Sequence, residues 1–286
     1  MKRILLFILI VGGVGIGLWY TQVLYRAQHS DKNAQTEATN LLEDVSAENF
    51  FPEPLKKLTG QSTAKPTGLS AQAVTSLTNE ERVKNGKKLL TTNAKLALAA
   101  HRKILDMVNL QYFEHTSPSG KGPADVIEAT GYTYVIVGEN LAEGDFADSA
   151  DLVQGWMNSP GHRANILNEK YTEIGVATER GTLNGKQVWF AVQEFGRPLT
   201  DCPRIDQTLK TQITTNETQV QNLQVQLQQV QTSMNQAKQK NDINTYNNLV
   251  PQYNAIVQSI NTLVTKTKQI VSAYNNQVKS FNTCIE

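Results

Sequence analysis

Two cysteines bracket the last third of this chain, and between them apolar residues recur at alternating spacings of four and three. Leu209, Ile213, Asn216, Val220, Leu223, Leu227, Val230, Met234 and Ala237 form one such seam. Tyr246, Leu249, Tyr253, Ile256, Ile260, Leu263, Thr267, Ile270, Tyr274, Gln277 and Phe281 form another, in which an aromatic residue or isoleucine followed by Asn returns in nearly every heptad. A seam with this period buries itself against a second helix, so it predicts two long helices packed as a coiled coil. The pattern breaks at residues 239–244, close to the midpoint between Cys202 and Cys284, and folding there sets the two thiols opposite each other. In an oxidising compartment two such thiols predict a disulfide rather than a metal site, which would need more ligands. Residues 198–286 are thus expected to form a disulfide-closed antiparallel coiled-coil hairpin, each arm on the order of 55 to 60 Å long. Pro251 is expected to kink or restart the second arm. Gln and Asn rather than charges flank the seams, so the hairpin reads as a spacer or stabilising appendage before it reads as an arm for a coiled-coil protein partner.

The other end of the chain sets the compartment. Lys2-Arg3 precedes an uncharged run from Ile4 to Tyr20, which predicts a membrane helix with a cytoplasmic N-terminus, and no small-x-small cleavage site follows it. Residues 1–26 are therefore expected to be a transmembrane signal-anchor, with secretion as the outcome if the segment is cleaved. Residues 27–75 are polar and carry Pro52, Pro54, Pro66, Gly60 and Gly68, which predicts a flexible linker. His29 in that stretch is expected to be solvated. A formal charge of +1, from 27 basic and 26 acidic residues, gives no long-range field for nucleic acid.

Residues 76–197 have a different texture. Thr78 followed by Glu81 predicts a capping box at a helix start, and residues 93–112 place Leu96, Ala99, Ala100, Ile104, Met107 and Val108 on one helical stripe. Asp148 or Ser149 is expected to cap a second helix carrying Leu152, Val153, Trp156 and Met157, which Ser159-Pro160-Gly161 stops. Strands are expected at residues 132–137, 174–178 and 188–195, the last two joined by the hairpin turn Asn184-Gly185. Helices with mainly hairpin-connected strands predict an α+β sandwich. Trp156 and Trp189 are expected in its core and His101 at the polar edge of the first stripe.

Four polar clusters stand where elements should turn or end: residues 112–118 around His115, Gly138-Glu139-Asn140-Leu141, residues 159–167 around His162, and Gly175-Val176. Two imidazoles with one or two carboxylates can hold a divalent metal with an open water position, or exchange protons near neutral pH. The same contacts can also do no more than fix loop geometry. There is no Gly-x-Ser-x-Gly motif and both cysteines lie outside this region, while Ser117 and Ser159 read as turn residues.

The order and spacing of these clusters resemble the CAP superfamily of cysteine-rich secretory, antigen 5 and pathogenesis-related 1 proteins, above all its bacterial SCP-like extracellular branch. Leu77-Thr78-Asn79-Glu80-Glu81-Arg82, with Leu90, Asn93, Leu96 and Ala100, is similar to the opening helix of that family. The resemblance implies a CAP-like α-β-α sandwich with a solvent-open cleft lined by two histidines and two acidic residues. His115, Glu139 and His162 take three of those positions. Asp125 is the nearest match to the fourth, with Glu128 as the alternative, and Asn140, Ser159 and Asn165 are expected to support the cleft. Zn2+ or another divalent cation would sit on His115 and His162. The function implied is a non-catalytic surface module for an extracellular lipid, glycan, wall component or protein. Two alternatives are a metal-assisted hydrolase of peptide or ester bonds, in which Glu139 activates water, and an adhesion protein working through the hairpin.

Overall fold

The computed structural model describes residues 49–57 and 68–286, which divide into two units between Leu199 and Thr200. The expected membrane helix within residues 1–26, His29 and much of the expected linker lie outside the described residues. Among the described residues no helix is long and apolar enough to cross a membrane.

The first unit grows from one hairpin. Asn184 and Gly185 both take positive φ, 52° and 79°, the geometry that lets a two-residue turn match the twist of its strands. The turn joins β4 (Glu173–Leu183) to β5 (Lys186–Pro198). Strand β3 (Tyr134–Gly144) pairs antiparallel with the other side of β5. Two short parallel strands, β1 (Leu55–Lys57) on β3 and β2 (Thr91–Thr92) on β4, complete the sheet order β1-β3-β5-β4-β2. The expected strand ending at Val137 in fact runs on through Gly138-Glu139-Asn140-Leu141. Glu139 and Asn140 are fully buried, and their contacts inside the fold make up for polar residues in mid-strand.

Helices α1 (Ala71–Lys84), α2 (Ala94–Leu110), α3 (Pro123–Glu128), α4 (Ser149–Asn158) and α5 (Pro160–Leu167) cover the sheet. Because side chains alternate along a strand, β5 sends Ala191 and Phe195 into a core with Val74 of α1, Trp156 of α4 and Ile166 of α5. Phe190 and Val192 go the other way, to Ala100, Ile104 and Met107 of α2. The sheet therefore lies between two helical layers, and each large apolar side chain buried there contributes about 1.5–3 kcal/mol. Trp156 is fully buried, and Trp189 is partly buried against the same core.

Local chemistry sets the helix ends. Asn93 caps α2 by accepting from the Lys95 and Leu96 amides, and Asp148 caps α4 by accepting from the Asp151 amide. Ser159 ends α4, and Pro160 begins α5 at a position where its missing N–H costs nothing. The expected capping box at Thr78 is corrected: α1 starts at Ala71 behind Ser70, and Thr78 is buried mid-helix, its hydroxyl accepting from Gln193 Nε2 at 2.7 Å. Gly175 of β4 sits so close to Leu96 and Ala97 of α2 that a Cβ would strike the helix backbone, which explains a glycine there.

The second unit consists of α6 (Gln207–Gln239) and α7 (Ile243–Ile285), with Cys202 and Cys284 joined in the expected disulfide. Asn241, at φ 55°, makes the turn and Asp242 caps α7 by accepting from the Thr245 amide. The buried residues of α6 are Asn216, Val220, Val230 and Ala237, and those of α7 are Ile256, Ile260, Thr267 and Ile285. Helix α7 passes through Pro251 without the expected restart. Pro251 is the ninth residue of that helix, past its first turn, so its missing N–H leaves the Asn247 carbonyl without its helical donor while the surrounding turns carry the helix on. A Cys202→Ser, Cys284→Ser chain should lose up to about 4 kcal/mol of stability in this unit, since the bond closes a separation of 82 residues. The measurement is thermal melting of the far-ultraviolet helical signal, with and without reductant on the parent chain.

Candidate functional site

The site is built along the outer edge of β3. Glu139 of β3 and Glu194 of β5 are direct cross-strand partners, so their side chains leave the sheet on the same face, toward α2. Both residues are fully buried. Two carboxylates cannot both stay ionised at that separation in an apolar layer. Burial, reinforced by the charge of Glu139, pushes the Glu194 carboxyl well above the usual range.

Lys103 of α2 lies over this pair and is 1 % exposed. Its Nζ donates to the His115 carbonyl at 2.6 Å and to the Tyr112 hydroxyl at 3.0 Å, and Tyr112 in turn donates to Asp106 at 2.5 Å. Burial lowers the Lys103 pKa, against the opposing pull of Glu139 and Glu194. The lysine thus anchors the loop that carries His115 while supplying a cation beside the carboxyl pair.

The His115 ring meets two acceptors, Glu139 Oε1 at 2.5 Å from Nδ1 and the Pro52 carbonyl at 2.5 Å from Nε2. A ring that donates from both nitrogens is an imidazolium. Burial opposes that charge, but the Glu139 hydrogen bond and charge outweigh it and raise the His115 pKa. His162, at the start of α5, is the opposite case. It is 1 % exposed, and burial, then the charge of His115, push its pKa down to about 4. Its Nδ1 lies 2.8 Å from Ser159 Oγ, and among the described residues its buried Nε2 has no hydrogen-bond partner. A serine on an imidazole begins a nucleophile–base pair, but among the described residues no group orients this ring from Nε2.

Asn140 and Asn165, two of the residues expected to support the cleft, hydrogen-bond on the other face of the same strand. Asn140 donates to the His162 carbonyl at 3.2 Å and to Gln193 at 3.1 Å. Asn165 of α5 donates to the carbonyls of Glu139 at 3.1 Å and Phe50 at 3.0 Å. The fourth position is a correction. Asp125 accepts from the Gly122 amide at 2.8 Å and caps α3, and Glu128 accepts from the Tyr134 hydroxyl at 3.1 Å near the surface. A short helix beginning Gly-Pro needs a capping acceptor, and Asp125 supplies it. Glu194 is the second acidic residue beside Glu139. Its signal in the sequence was a glutamate inside the apolar run Phe190-Ala191-Val192-Gln193-Glu194-Phe195, and Lys103 was signalled by a cation on the apolar stripe of α2.

The cleft is also covered rather than open. Residues 49–57, expected to be part of the linker, lie along β3: the Val137 amide donates to Asn49 Oδ1 at 3.0 Å and the Glu139 amide to the Phe50 carbonyl at 3.3 Å. The physical reason is the bare row of donors on an edge strand, met by an apolar stretch rich in Phe and Pro.

The donors do not fit a zinc ion in this arrangement. Both ring nitrogens of His115 already face partners, Nδ1 the Glu139 carboxyl and Nε2 the Pro52 carbonyl. Among the described residues, no three His, Cys, Asp or Glu side chains converge for a metal.

Two helical layers enclose the five-stranded sheet, with His115 and Glu139 in contact at one edge. Residues 75–195 match the sequence model of the family described as CAP, the Cysteine-rich secretory protein family, so this part of the chain is CAP-like. It is 36 % identical over 166 residues to the uncharacterized protein YkwD of Bacillus subtilis (strain 168), covering 57 % of this chain and 62 % of that one. It is 35 % identical over 111 residues to the uncharacterized membrane protein YlbC of the same organism, covering 39 % of this chain and 32 % of that one. The chain thus spans less than two thirds of either relative. Among solved structures, an extracellular protein containing a SCP domain from Bacillus anthracis str. Ames is 33 % identical, with 44 % of this chain and 40 % of that chain covered and a TM-score of 0.39.

The two histidines have opposite linkage to pH. With a raised folded pKa, His115 contributes stability below the ordinary imidazole value that is lost as pH rises through its folded value. His162 contributes none of its penalty above its ordinary value of 6.5; as pH falls from there toward about 4, the unfolded chain takes a proton that the folded chain refuses. Acidification should therefore cost on the order of 3 kcal/mol through His162. Urea midpoints at pH 7 and pH 4.5 check this, and His162→Leu should flatten the difference between them.

Proposed function

We propose that this protein is a membrane-tethered extracellular binding module, whose CAP domain holds a lipid, glycan, wall component or protein at the β3 edge without turning it over. The observation that carries this reading is that His115 and Lys103 are spent on contacts inside the fold, while among the described residues nothing orients His162 from its Nε2. The His115 imidazolium is satisfied at both nitrogens, and Lys103 is directed at a carbonyl and a hydroxyl. Ser159 has no oriented base behind it. Groups fixed in this way present shape and hydrogen bonds to a ligand rather than a poised nucleophile or a water-activating base.

Export is supported by the secretory character of the matched family and by the disulfide between Cys202 and Cys284, a bond that persists in oxidising compartments. Tethering is supported by the uncharged run after Lys2-Arg3, and one relative is a membrane protein by name. The buried rows of α6 and α7 fall on the heptad positions, which supports a coiled-coil hairpin acting as a stiff spacer.

Fluorescently labelled full chain should sediment with bacterial envelope preparations in a saturable way, and Glu139→Gln should weaken that binding at least tenfold while the far-ultraviolet spectrum is kept. Hydrolysis of peptide or ester substrates that disappears in His162→Ala would overturn the non-catalytic reading. For the tether, the full chain should stay with membranes through alkaline carbonate extraction, and deleting residues 4–20 should release it.

A further inference from the structure

The covering segment has the features of a ligand. Its hold on the domain is mainly through main-chain groups of an extended chain running parallel to β3, with Phe50 bridged to Gly138 and Leu55–Lys57 paired with Ala142–Gly144. Carbonyl oxygens do most of the bonding: Phe50 accepts from the Glu139 amide and from Asn165, and Pro52 accepts from the His115 ring.

Side chains then enter three small sites. Pro52 is buried against Gly161 of α5, where a Cβ would come within 2.6 Å of the Pro52 Cβ and have atoms of Pro52 as its three nearest neighbours. Leu55 lies against Gly155 of α4, whose Cβ would approach it at 3.2 Å. The Lys57 ammonium donates to Asp151 at 2.6 Å and lies 5.5 Å from the centre of the Phe146 ring. Every residue on the receiving side falls within residues 75–195, the matched CAP domain, and residues 49–57 fall outside it. Strand addition with pockets for alternate side chains is a recognised way for a domain to bind a peptide.

We propose that the β3 edge is a groove for extended peptides of the pattern Asn-x-Phe-Pro-x-x-Leu-x-Lys, and that residues 49–57 are its tethered occupant. The proposal rests on the binding reading above and names its ligand class. A tethered occupant competes at an effective concentration in the millimolar range, so a peptide in solution gains entry only where the tethered segment is weakened. His115 is then a reading residue, because its imidazolium donates to a main-chain carbonyl at the proline position and lies 5.7 Å, ring to ring, from Phe51.

The test uses full chains and a fluorescein-labelled nonapeptide, Asn-Phe-Phe-Pro-Glu-Pro-Leu-Lys-Lys, read by anisotropy. Phe51→Asp with Leu55→Asp in the chain should raise affinity for the peptide at least tenfold over the parent, and adding Gly161→Ala should remove the gain. Equal affinity in the parent and the double variant, or a gain that survives Gly161→Ala, would overturn the proposal. Gly161→Ala alone gives a second readout that does not depend on the acidic variants folding. It should speed hydrogen exchange at the Val137 and Glu139 amides at least tenfold, and unchanged protection there would overturn the proposal. Envelope sedimentation of the same chains separates the two readings: envelope binding without peptide binding sinks the peptide groove alone, whereas loss of both sinks the binding module as well.

Discussion

The burial of two facing carboxyls, Glu139 and Glu194, in one apolar layer is the constraint on which the rest of the site depends. The two carboxyls face one another across β3 and β5 in a layer otherwise filled by α2, and neither is exposed. Burial raises the Glu194 pKa, and two basic groups, Lys103 and the His115 ring, are set around the pair. Removing one of them would weaken the compensation of buried charge at the site. The loop after α2 thus owes its position to electrostatics inside the sheet layer, and the carbonyl acceptor on Pro52 is read by a ring whose charge is fixed by that same pair.

The opposite face of the strand pair carries a matching device made of amides. Asn140 and Gln193 are the next pair in register, and they point to α1 and α5 instead of α2. Asn140 reaches the main chain at His162, Gln193 takes a hydrogen bond from Asn140 and gives one to Thr78, and Asn165 closes the network to the Glu139 carbonyl. Two adjacent residues of one strand therefore fix the helices on both sides of the sheet. His115 and His162 come from different layers and arrive at the same edge for this reason.

Much of this was legible in the residues. The turn at Asn184-Gly185, the stripe of α2 and the cap at Asp148 follow from local chemistry, which the surrounding fold does not contradict. The clusters at His115, Glu139 and His162 could be recognised by their order along the chain. What local reasoning could not see was pairing. Glu194 becomes a partner of Glu139 only through the β3–β5 register, which no turn sets, since the two strands are far apart in sequence. Asp125 looked suitable by spacing alone, but the amide of Gly122 was nearer. Thr78 resembled a cap because its buried hydroxyl partner, Gln193, lies 115 residues away. The stretch around Phe50 and Pro52 read as linker because its only structure is borrowed from a strand edge that it meets after folding.

The disulfide of the helical unit has a mechanical meaning. Cys202 and Cys284 lie at the entry to α6 and the last turn of α7, so tension applied across those two points crosses one sulfur–sulfur bond instead of running up one helix and down the other. Under pulling, this unit behaves as a short rigid link rather than as a spring.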